Sequence, residues 1–172
     1  CSPLIWHPCR LSTAVVLVRD RINAEGGILG RPIEDLWRDS AWKVSLGRSH
    51  AEELITSEHV DVLLSPISSA VRLAESDVAK KYGVIHFDTV SGSDSLYMER
   101  GHDYFFELGI CCKAEAYGRA LAAKYWHDEY GAKTIVTLAP DYVWGHDEEK
   151  YFAEHLKTVA PDMQIIKQYW PK

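Results

Sequence analysis

Apolar and polar positions alternate along the chain with two periods, which predict helices and strands in turn. Apolar residues recur every three or four positions, the helical spacing, in segments 11–23, 42–57, 69–82, 114–130 and 144–159. Between them, short runs rich in apolar and β-branched residues predict strands at 32–38, 60–64, 84–87, 134–138 and 164–170. The run VDVLL at 60–64 is typical of a strand that is buried on both faces of a parallel sheet.

This alternation of strands and helices predicts an α/β fold, in which parallel sheets are layered with helices as in flavodoxin-like domains. In such folds the ligand crevice lies at the carboxyl ends of the strands. The loops at that edge are predicted at 65–69, 88–95 and 139–145. We therefore expect the functional residues in these three loops.

The glycine-rich stretch INAEGGILGRPIE, residues 22–34, could be a phosphate-binding loop or the end of a helix followed by a turn. A phosphate loop follows a strand and opens a helix, because it uses the positive amino-terminal end of that helix. Here the glycines follow a predicted helix and precede a predicted strand. We therefore interpret Gly26 and Gly27 as the end of the first helix, and Gly30 with Pro32 as the turn into the next strand.

Length and charge narrow the class of protein further. With 172 residues and 47% hydrophobic content, the chain can form one sizeable domain or two small lobes. Acidic residues outnumber basic ones by 25 to 19, and the net charge of −6 argues against nucleic acid as a partner. No apolar run is long enough to span a membrane, and the start CSPLIWHPCR lacks the pattern of a signal peptide. If the protein is exported, we expect that its signal has been removed.

The spacing of cysteines and histidines gives no support to metal or cofactor chemistry. Cys1, Cys9, Cys111 and Cys112 match neither a CxxC redox site nor a zinc-finger pattern, and their disulfide pairing stays open. The eight histidines are scattered and include no HExxH motif. We therefore predict no metal site and no cofactor.

Two serines stand where a predicted strand passes into a predicted helix. Ser68 and Ser69 can place a hydroxyl at the helix start, where free backbone N–H groups and the helix dipole favour an anion. The alternative is an ordinary helix cap without a ligand, and the sequence leaves both interpretations open. A nucleophilic serine is disfavoured, because PISSA does not match the GxSxG elbow and no histidine or aspartate can be assigned as its partner.

The other two loops carry small polar groups and aromatic rings. Thr89, Ser91 and Ser93 offer hydroxyls without a strong acid or base opposite them, which suits holding a polar ligand better than transforming one. In the third loop, Tyr142 and Trp144 can cover a ligand with an aromatic face. A place in the core or at a contact between domains is the alternative for these two rings.

Five segments, in their order and spacing, give the chain a resemblance to a known family. They are INAEGGILGRPIE, VDVLLSPISSA, AKKYGVIHFDTVSGSDSL, TIVTLAPDYVWGHD and YWPK. Together they resemble the type I periplasmic solute-binding proteins that serve branched-chain amino acid ABC transporters. The resemblance implies two lobes, each a parallel α/β sandwich, that close on a small solute by hinge motion. It also implies a non-enzymatic, extracytoplasmic protein whose partner is a membrane permease.

The resemblance further implies roles for residues in the predicted loops. Ser69, with Ser68, matches the serine position that holds the ligand carboxylate, and Trp144 matches the second-lobe aromatic that closes over the ligand. Small polar contacts to the carboxylate and ammonium are implied for Thr89, Ser91 and Ser93. The first-lobe aromatic, in the loop after the first strand, corresponds to Trp6 or His7.

Chain length sets this sequence apart from the family it resembles. Members are longer and begin with an apolar strand, whereas no such strand precedes the loop that starts at Cys1. We expect a first lobe at 1–113, without its opening strand, the beginning of a second lobe at 114–172, and hence a fragment or an incompletely recorded chain.

Two alternative functions stay open at this point. A ligand-sensing receptor or regulator domain of the amide-sensor type would have the same fold. An enzyme of the flavodoxin-like or nucleotide-binding α/β class would need a phosphate loop, a catalytic pair or a metal set, and the sequence offers none of these.

Overall fold

The computed structural model describes residues 6–89, 92–94, 98–109 and 111–171, with side chains from residue 12 onward. The helices are α1 Trp6–Ala24, α2 Val44–Thr56, α3 Ser69–Tyr82, α4 Cys112–Tyr130 and α5 Val143–Val159. The strands are β1 Val62–Leu64, β2 Ile85–Asp88, β3 Phe105–Glu107, β4 Thr134–Leu138 and β5 Gln164–Tyr169. All pairs between these strands are parallel, so the predicted α/β class is confirmed. The chain divides into two compact units, Cys1–Arg38 and Asp39–Lys172.

The first unit contains α1 and the glycine turn that follows it. Gly26 and Gly27 adopt φ angles of 105° and 76°, in the left-handed region that favours glycine. A Cβ at Gly27 would lie 2.0 Å from the carbonyl oxygen of Arg31, so no other residue fits this turn. An antiparallel bridge between Ile28 and Arg31 closes it. The interpretation of the glycines as a helix end is therefore confirmed.

The predicted strand at 32–38 is wrong, because these residues are irregular in the structure. A strand needs a neighbour to accept and donate its backbone hydrogen bonds. The side chain of Asn23 instead bonds both backbone groups of Ile33, with its Oδ1 2.6 Å from the N–H and its Nδ2 2.9 Å from the carbonyl oxygen. The segment after the turn is thus fixed by one amide side chain.

The second unit begins with a three-stranded sheet in the order β1-β2-β3. Helices α2 and α3 pack on one of its faces, where the core contains Ala51, Ile55, Leu63, Val78 and Ala79. The sequence predicted β1 and β2 but missed β3, which consists of three residues only. Because β3 pairs with β2, its end lies beside the end of β2, and the residues after both strands share one edge.

The opposite face of this sheet is more exposed than the apolar run at 60–64 predicts. Leu63 is 6% exposed, but its neighbours Val62 and Leu64 are 40% and 55% exposed. Ile85 and Phe106, which the register places on the same face as Val62 and Leu64, are also exposed. The prediction of burial on both faces is therefore wrong for β1 as described, because α2 and α3 both cover the Leu63 side.

The rest of the unit is a second sheet, β4-β5, with α4 and α5 packed together. Small side chains recur on the inner face of α4 at Cys112, Ala116, Ala120 and Ala123, and each is at most 6% exposed. They leave room for the larger side chains of α5, which include Tyr151, Phe152 and Leu156. No helix within the described residues is long and apolar enough to cross a membrane.

Candidate functional site

The first predicted loop joins β1 to α3 and contains both candidate serines. Ser68 is the residue before the helix, with extended backbone, and its hydroxyl makes no capping hydrogen bond. Ser69 opens the helix, is 1% exposed, and its Oγ has no hydrogen-bond partner among the described residues. A buried hydroxyl without a partner is costly, and this one stands at the positive end of a helix dipole. An anion at this place would give it a partner.

Below this loop, the structure forms a serine–histidine pair that the sequence analysis missed. The Oγ of Ser65 lies 2.8 Å from Nε2 of His86, and both residues are buried. The Glu75 carboxylate lies 3.9 Å from the same Nε2, whereas a catalytic triad needs its acid on Nδ1. Nδ1 of His86 has no partner among the described residues. This geometry does not form a catalytic triad.

Burial shifts the pKa values of Glu75 and His86 in opposite directions. It raises the pKa of Glu75 to about 8, and burial together with the charges of Arg72 and His102 lowers the pKa of His86 to about 4. At neutral pH the histidine is therefore uncharged, and most of the Glu75 carboxyl is protonated. The buried layer next to Ser65 is therefore largely neutral, and its hydrogen bond joins Ser65 to His86, whereas Glu75 lies 3.9 Å from the histidine.

A pH dependence of stability follows from Glu75. Its pKa rises from 4.5 in the unfolded chain to about 8 in the folded one, so its contribution is complete below pH 4.5 and declines as the pH rises to 8. The effect of His86 on stability has the opposite dependence on pH. Its lowered pKa reduces the stability only below pH 6.5, where the unfolded chain binds a proton that the folded chain does not. We expect the melting temperature to fall between pH 6.5 and 8, and to fall less in Glu75→Gln. Thermal melts monitored by circular dichroism measure this, with Glu154→Gln, an exposed glutamate of α5, as the control. Equal slopes in all three proteins would contradict the assignment.

At the carboxyl ends of β2 and β3, a buried arginine joins several groups. Arg72 is fully buried, and its Nη1 donates to Oδ2 of Asp88 and lies 3.8 Å from Oε1 of Glu107. Its Nη2 donates to the main-chain carbonyl oxygen of Ser93 in the second predicted loop. Burial lowers the pKa of Arg72, and the charge of Glu107 opposes that shift. One helix side chain thus contacts two strand ends and a loop.

The second predicted loop is tied to the helices that follow it. The hydroxyl of Ser93 donates to Oδ2 of Asp147 in α5. The backbone N–H of Cys112 bonds the carbonyl oxygen of Gly92 at 2.8 Å, and that of Lys113 bonds Oδ2 of Asp94 at 3.0 Å. These N–H groups belong to the first turn of α4, where a helix provides no acceptor of its own. Residues 92–94 therefore cap α4 and contact α5.

The other members of this loop are placed differently or lie outside the description. Thr89 follows β2 and is exposed, whereas Ser93 is fully buried. Ser91 lies outside the described residues. Of the two described hydroxyls that were predicted to contact a ligand, that of Thr89 is therefore exposed, and that of Ser93 is buried and bonded to Asp147.

The third loop places its aromatic rings together. The rings of Tyr142 and Trp144 are stacked, with centroids 6.0 Å apart and an angle of 28° between their planes. Trp144 also packs against the α4–α5 core, and the guanidinium of Arg119 lies 5.5 Å from its ring centre. The ring is half-buried, so it belongs partly to the core and is partly open to solvent. A Cβ at Gly145 would lie 2.1 Å from the carbonyl oxygen of Pro140, which makes glycine necessary there.

Contacts between side chains connect these three loops. Ser69 and Arg72 are three residues apart on α3, and Arg72 reaches Ser93. Ser93 in turn bonds Asp147, which stands three residues after Trp144 on α5. These two hydrogen bonds link α3, the second loop and α5 in a row of contacts, and α3 and α5 carry the residues of the first and third loops. Spacing alone could have indicated Arg72, since it falls one helical turn after Ser69 in an otherwise apolar stretch.

The last two predicted site residues lie at the start of the first unit. Trp6 and His7 stand in the first turn of α1 and not in a loop, so the predicted loop position is wrong. Their side chains lie outside the description. The helix reaches closer to the chain start than the apolar spacing from residue 11 onward predicted.

A separate cavity of about 340 Å³ lies between α4, β4 and α5. Its lining includes Arg119, Trp126, Ile135, Leu138 and Phe152. None of the predicted site residues lines it, so the row of loop contacts and not this cavity is the candidate site. Within the described part of the chain, no group of histidine, cysteine and acidic side chains could hold a metal ion.

Comparison with known proteins agrees with this architecture. A family model described as "Periplasmic binding protein" matches residues 10–168. A periplasmic binding protein from Burkholderia mallei is 24% identical with a TM-score of 0.78, and the match covers 91% of this chain and 40% of that one. A second match is the branched-chain amino acid transporter substrate-binding protein LivJ from Streptococcus pneumoniae, solved in complex with isoleucine. It is 25% identical with a TM-score of 0.74, and the match covers 90% of this chain and 42% of that one.

A third match has a different ligand. The solute-binding protein RPA0668 of an ABC transporter from R. palustris, in complex with benzoate, is 19% identical with a TM-score of 0.77. The match covers 87% of this chain and 40% of that one, so the chain spans about two fifths of the length of these structures. The ligand is isoleucine in the Streptococcus pneumoniae structure and benzoate in the R. palustris structure. The present chain belongs to the periplasmic binding protein family, as a relative of the type I solute-binding proteins of branched-chain amino acid ABC transporters.

Proposed function

We propose that this chain captures a small carboxylate-bearing solute, of amino acid type, for an ABC importer. The observation that carries the proposal is the buried Oγ of Ser69, which has no partner among the described residues and stands at the start of α3. A carboxylate would accept hydrogen bonds from this hydroxyl and from the N–H groups of the first helical turn.

The ligands of similar proteins support the same chemical class. The solved structures include complexes with isoleucine, leucine, benzoate and 3,4-dihydroxybenzoic acid. The two amino acids and the two aromatic acids share the carboxyl group, but the ammonium group is confined to the first pair and the ring to the second. In the proposal, that group is what the first lobe recognises, and the remainder of the solute is selected elsewhere in the crevice.

In the proposed complex, the solute lies between two lobes, 1–113 and 114–172, that close on it. Ser68 and Ser69 hold the carboxylate, Thr89 and Ser91 contact the other polar groups of the solute, and Ser93 holds the loop in place through Arg72 and Asp147. Tyr142 and Trp144 cover the solute from the second lobe. The protein acts outside the cytoplasm, and its partner is the membrane permease that receives the solute.

A thermal-shift panel tests this function directly. We expect L-leucine, L-isoleucine or benzoate to raise the melting temperature, because a ligand that binds only the folded state stabilises it. At a concentration of about 100 times the dissociation constant the gain is about 2.7 kcal/mol, or roughly 5–10 °C for a chain of this size. Isoamylamine and benzyl alcohol, which lack the carboxylate, are the matched controls. A cooperative melt that none of the carboxylates shifts would contradict the proposal.

A further inference from the structure

The buried arginine of α3 is more than a means of stabilising the sheet edge. Arg72 and Asp88 are both 0% exposed, and Glu107 is 10% exposed at its side chain. Removing an ion pair of this kind from water is expensive, and well-packed apolar residues in the same place are often equally stable. Stability alone therefore does not account for an arginine at this position.

The partners of Arg72 come from separate elements that must meet at the crevice. Asp88 ends β2 and Glu107 ends β3, and the two are partners in the strand register. The third partner is the main-chain carbonyl of Ser93, 21 residues away in sequence. A planar guanidinium can donate in several directions at once, which an ammonium on a flexible stem cannot do with the same geometry.

Ser93 bonds both Arg72 and α5. Its carbonyl oxygen is bonded by Arg72, and its hydroxyl donates to Asp147, 54 residues further along the chain. The neighbouring residues Gly92 and Asp94 accept hydrogen bonds from the first turn of α4. The position of residues 92–94 therefore fixes how the loop after β2 meets both helices of the second half of the unit.

We propose that Arg72 is the positioning residue of the solute site: it holds residues 92–94 in place and, through the Ser93–Asp147 hydrogen bond, aligns the first-lobe loop with α5 and its aromatic residues. This inference rests on the proposed function. In this proposal Arg72 itself does not touch the solute, because its Nη1 donates to Asp88 and its Nη2 donates to the main-chain carbonyl of Ser93. Its effect on affinity is transmitted by the loop.

A compensated double variant separates positioning from stability. Arg72→Met alone leaves the buried Asp88 without its cation, and we expect a large loss of stability. The double variant Arg72→Met with Asp88→Asn removes the hydrogen-bonded pair of charges. Glu107 remains, and burial already raises the pKa of its carboxyl, so it can take up a proton once the arginine is gone. We expect this variant to regain part of the melting temperature. We expect its affinity for L-leucine or benzoate, whichever the wild type binds, to stay at least 10-fold below wild type by titration calorimetry. Arg72→Lys should give an intermediate affinity.

Hydrogen exchange supplies a measurement that needs no ligand. The backbone N–H groups of Cys112 and Lys113 are bonded by Gly92 and Asp94, so their exchange reports where the loop lies. We expect both amides to exchange faster in the double variant. The N–H of Ala139, bonded to the carbonyl of Tyr169 in the second sheet, is the internal control and should be unchanged.

The outcomes distinguish this inference from the function on which it rests. A stable double variant that binds solute like the wild type would overturn the positioning role, and so would unchanged exchange at Cys112 and Lys113. If the wild type binds none of the carboxylates, the proposed function fails. Faster exchange at the two amides would then still support the control of the loop by Arg72.

Discussion

Replacing Ser69 by alanine is expected to weaken carboxylate binding about 10- to 100-fold while leaving the fold as stable as before. A hydrogen bond to a charged group contributes about 1.5–3 kcal/mol, which corresponds to that range of affinity. The hydroxyl has no partner among the described residues, so its removal from the unliganded protein breaks no bond seen there. Removing an unsatisfied buried polar group can even stabilise a protein. Titration calorimetry and thermal melts measure the two effects separately.

Ser76 of the same helix is the matched control for this substitution. Ser76 stands two helical turns after Ser69 and is also 1% exposed. Its Oγ, however, has a partner, since it lies 2.7 Å from Nε2 of His102. We expect Ser76→Ala to lower the melting temperature and to leave the affinity unchanged, the reverse of Ser69→Ala. Wild-type affinity in Ser69→Ala, measured with a carboxylate that the protein binds, would remove this serine from the site.

Replacing Gly145 by alanine is expected to destabilise the protein by about 1–3 kcal/mol, the usual cost of forcing an extra carbon into a packed region. The new Cβ would lie 2.1 Å from the carbonyl oxygen of Pro140, a backbone atom that cannot rotate away. The turn at 140–145 must therefore shift, and it carries Tyr142 and Trp144. We expect solute affinity to fall together with the melting temperature.

Replacing Gly118 by alanine should change the melting temperature in the opposite direction. Gly118 lies inside α4, and a Cβ there would meet nothing within 4 Å. Alanine is favoured over glycine within helices by about 1 kcal/mol, so Gly118→Ala should raise the melting temperature slightly and leave affinity unchanged. Thermal melts of the two alanine variants provide the comparison. Equal effects would show that the contact with Pro140 does not constrain the turn.

Local patterns predicted most of the secondary structure because those signals lie within a few residues. The helix at 69–82 and the strand at 134–138 have the predicted ends, and the remaining helices after the first begin and end within two residues of the prediction. The glycines at 26 and 27 fix the end of α1 through their own backbone angles. The strand at 32–38 failed for a tertiary reason, since Asn23 takes both backbone groups of Ile33.

The candidate site was only partly accessible to the same reasoning. The rule for parallel sheets indicated the three loops, and the structure joins them in one row of contacts. The residues that make the connections, Arg72 and Asp147, were missed. A charged residue in an apolar stretch, such as Arg72, stands out in the sequence, but its burial and its partners are decided only by the fold.

The sequence by itself therefore determined the alternation of helices and parallel strands, the glycine turn and the serines at the start of α3. Each of these depends on the conformational preferences of neighbouring residues. The tertiary structure alone decided that Ser65 pairs with His86, 21 residues away, that Arg72 joins two strand ends to a loop, and that Ser93 meets Asp147. The first of these contacts depends on the pairing of β1 with β2, and the other two depend on the packing that brings α3, the loop after β2 and α5 together.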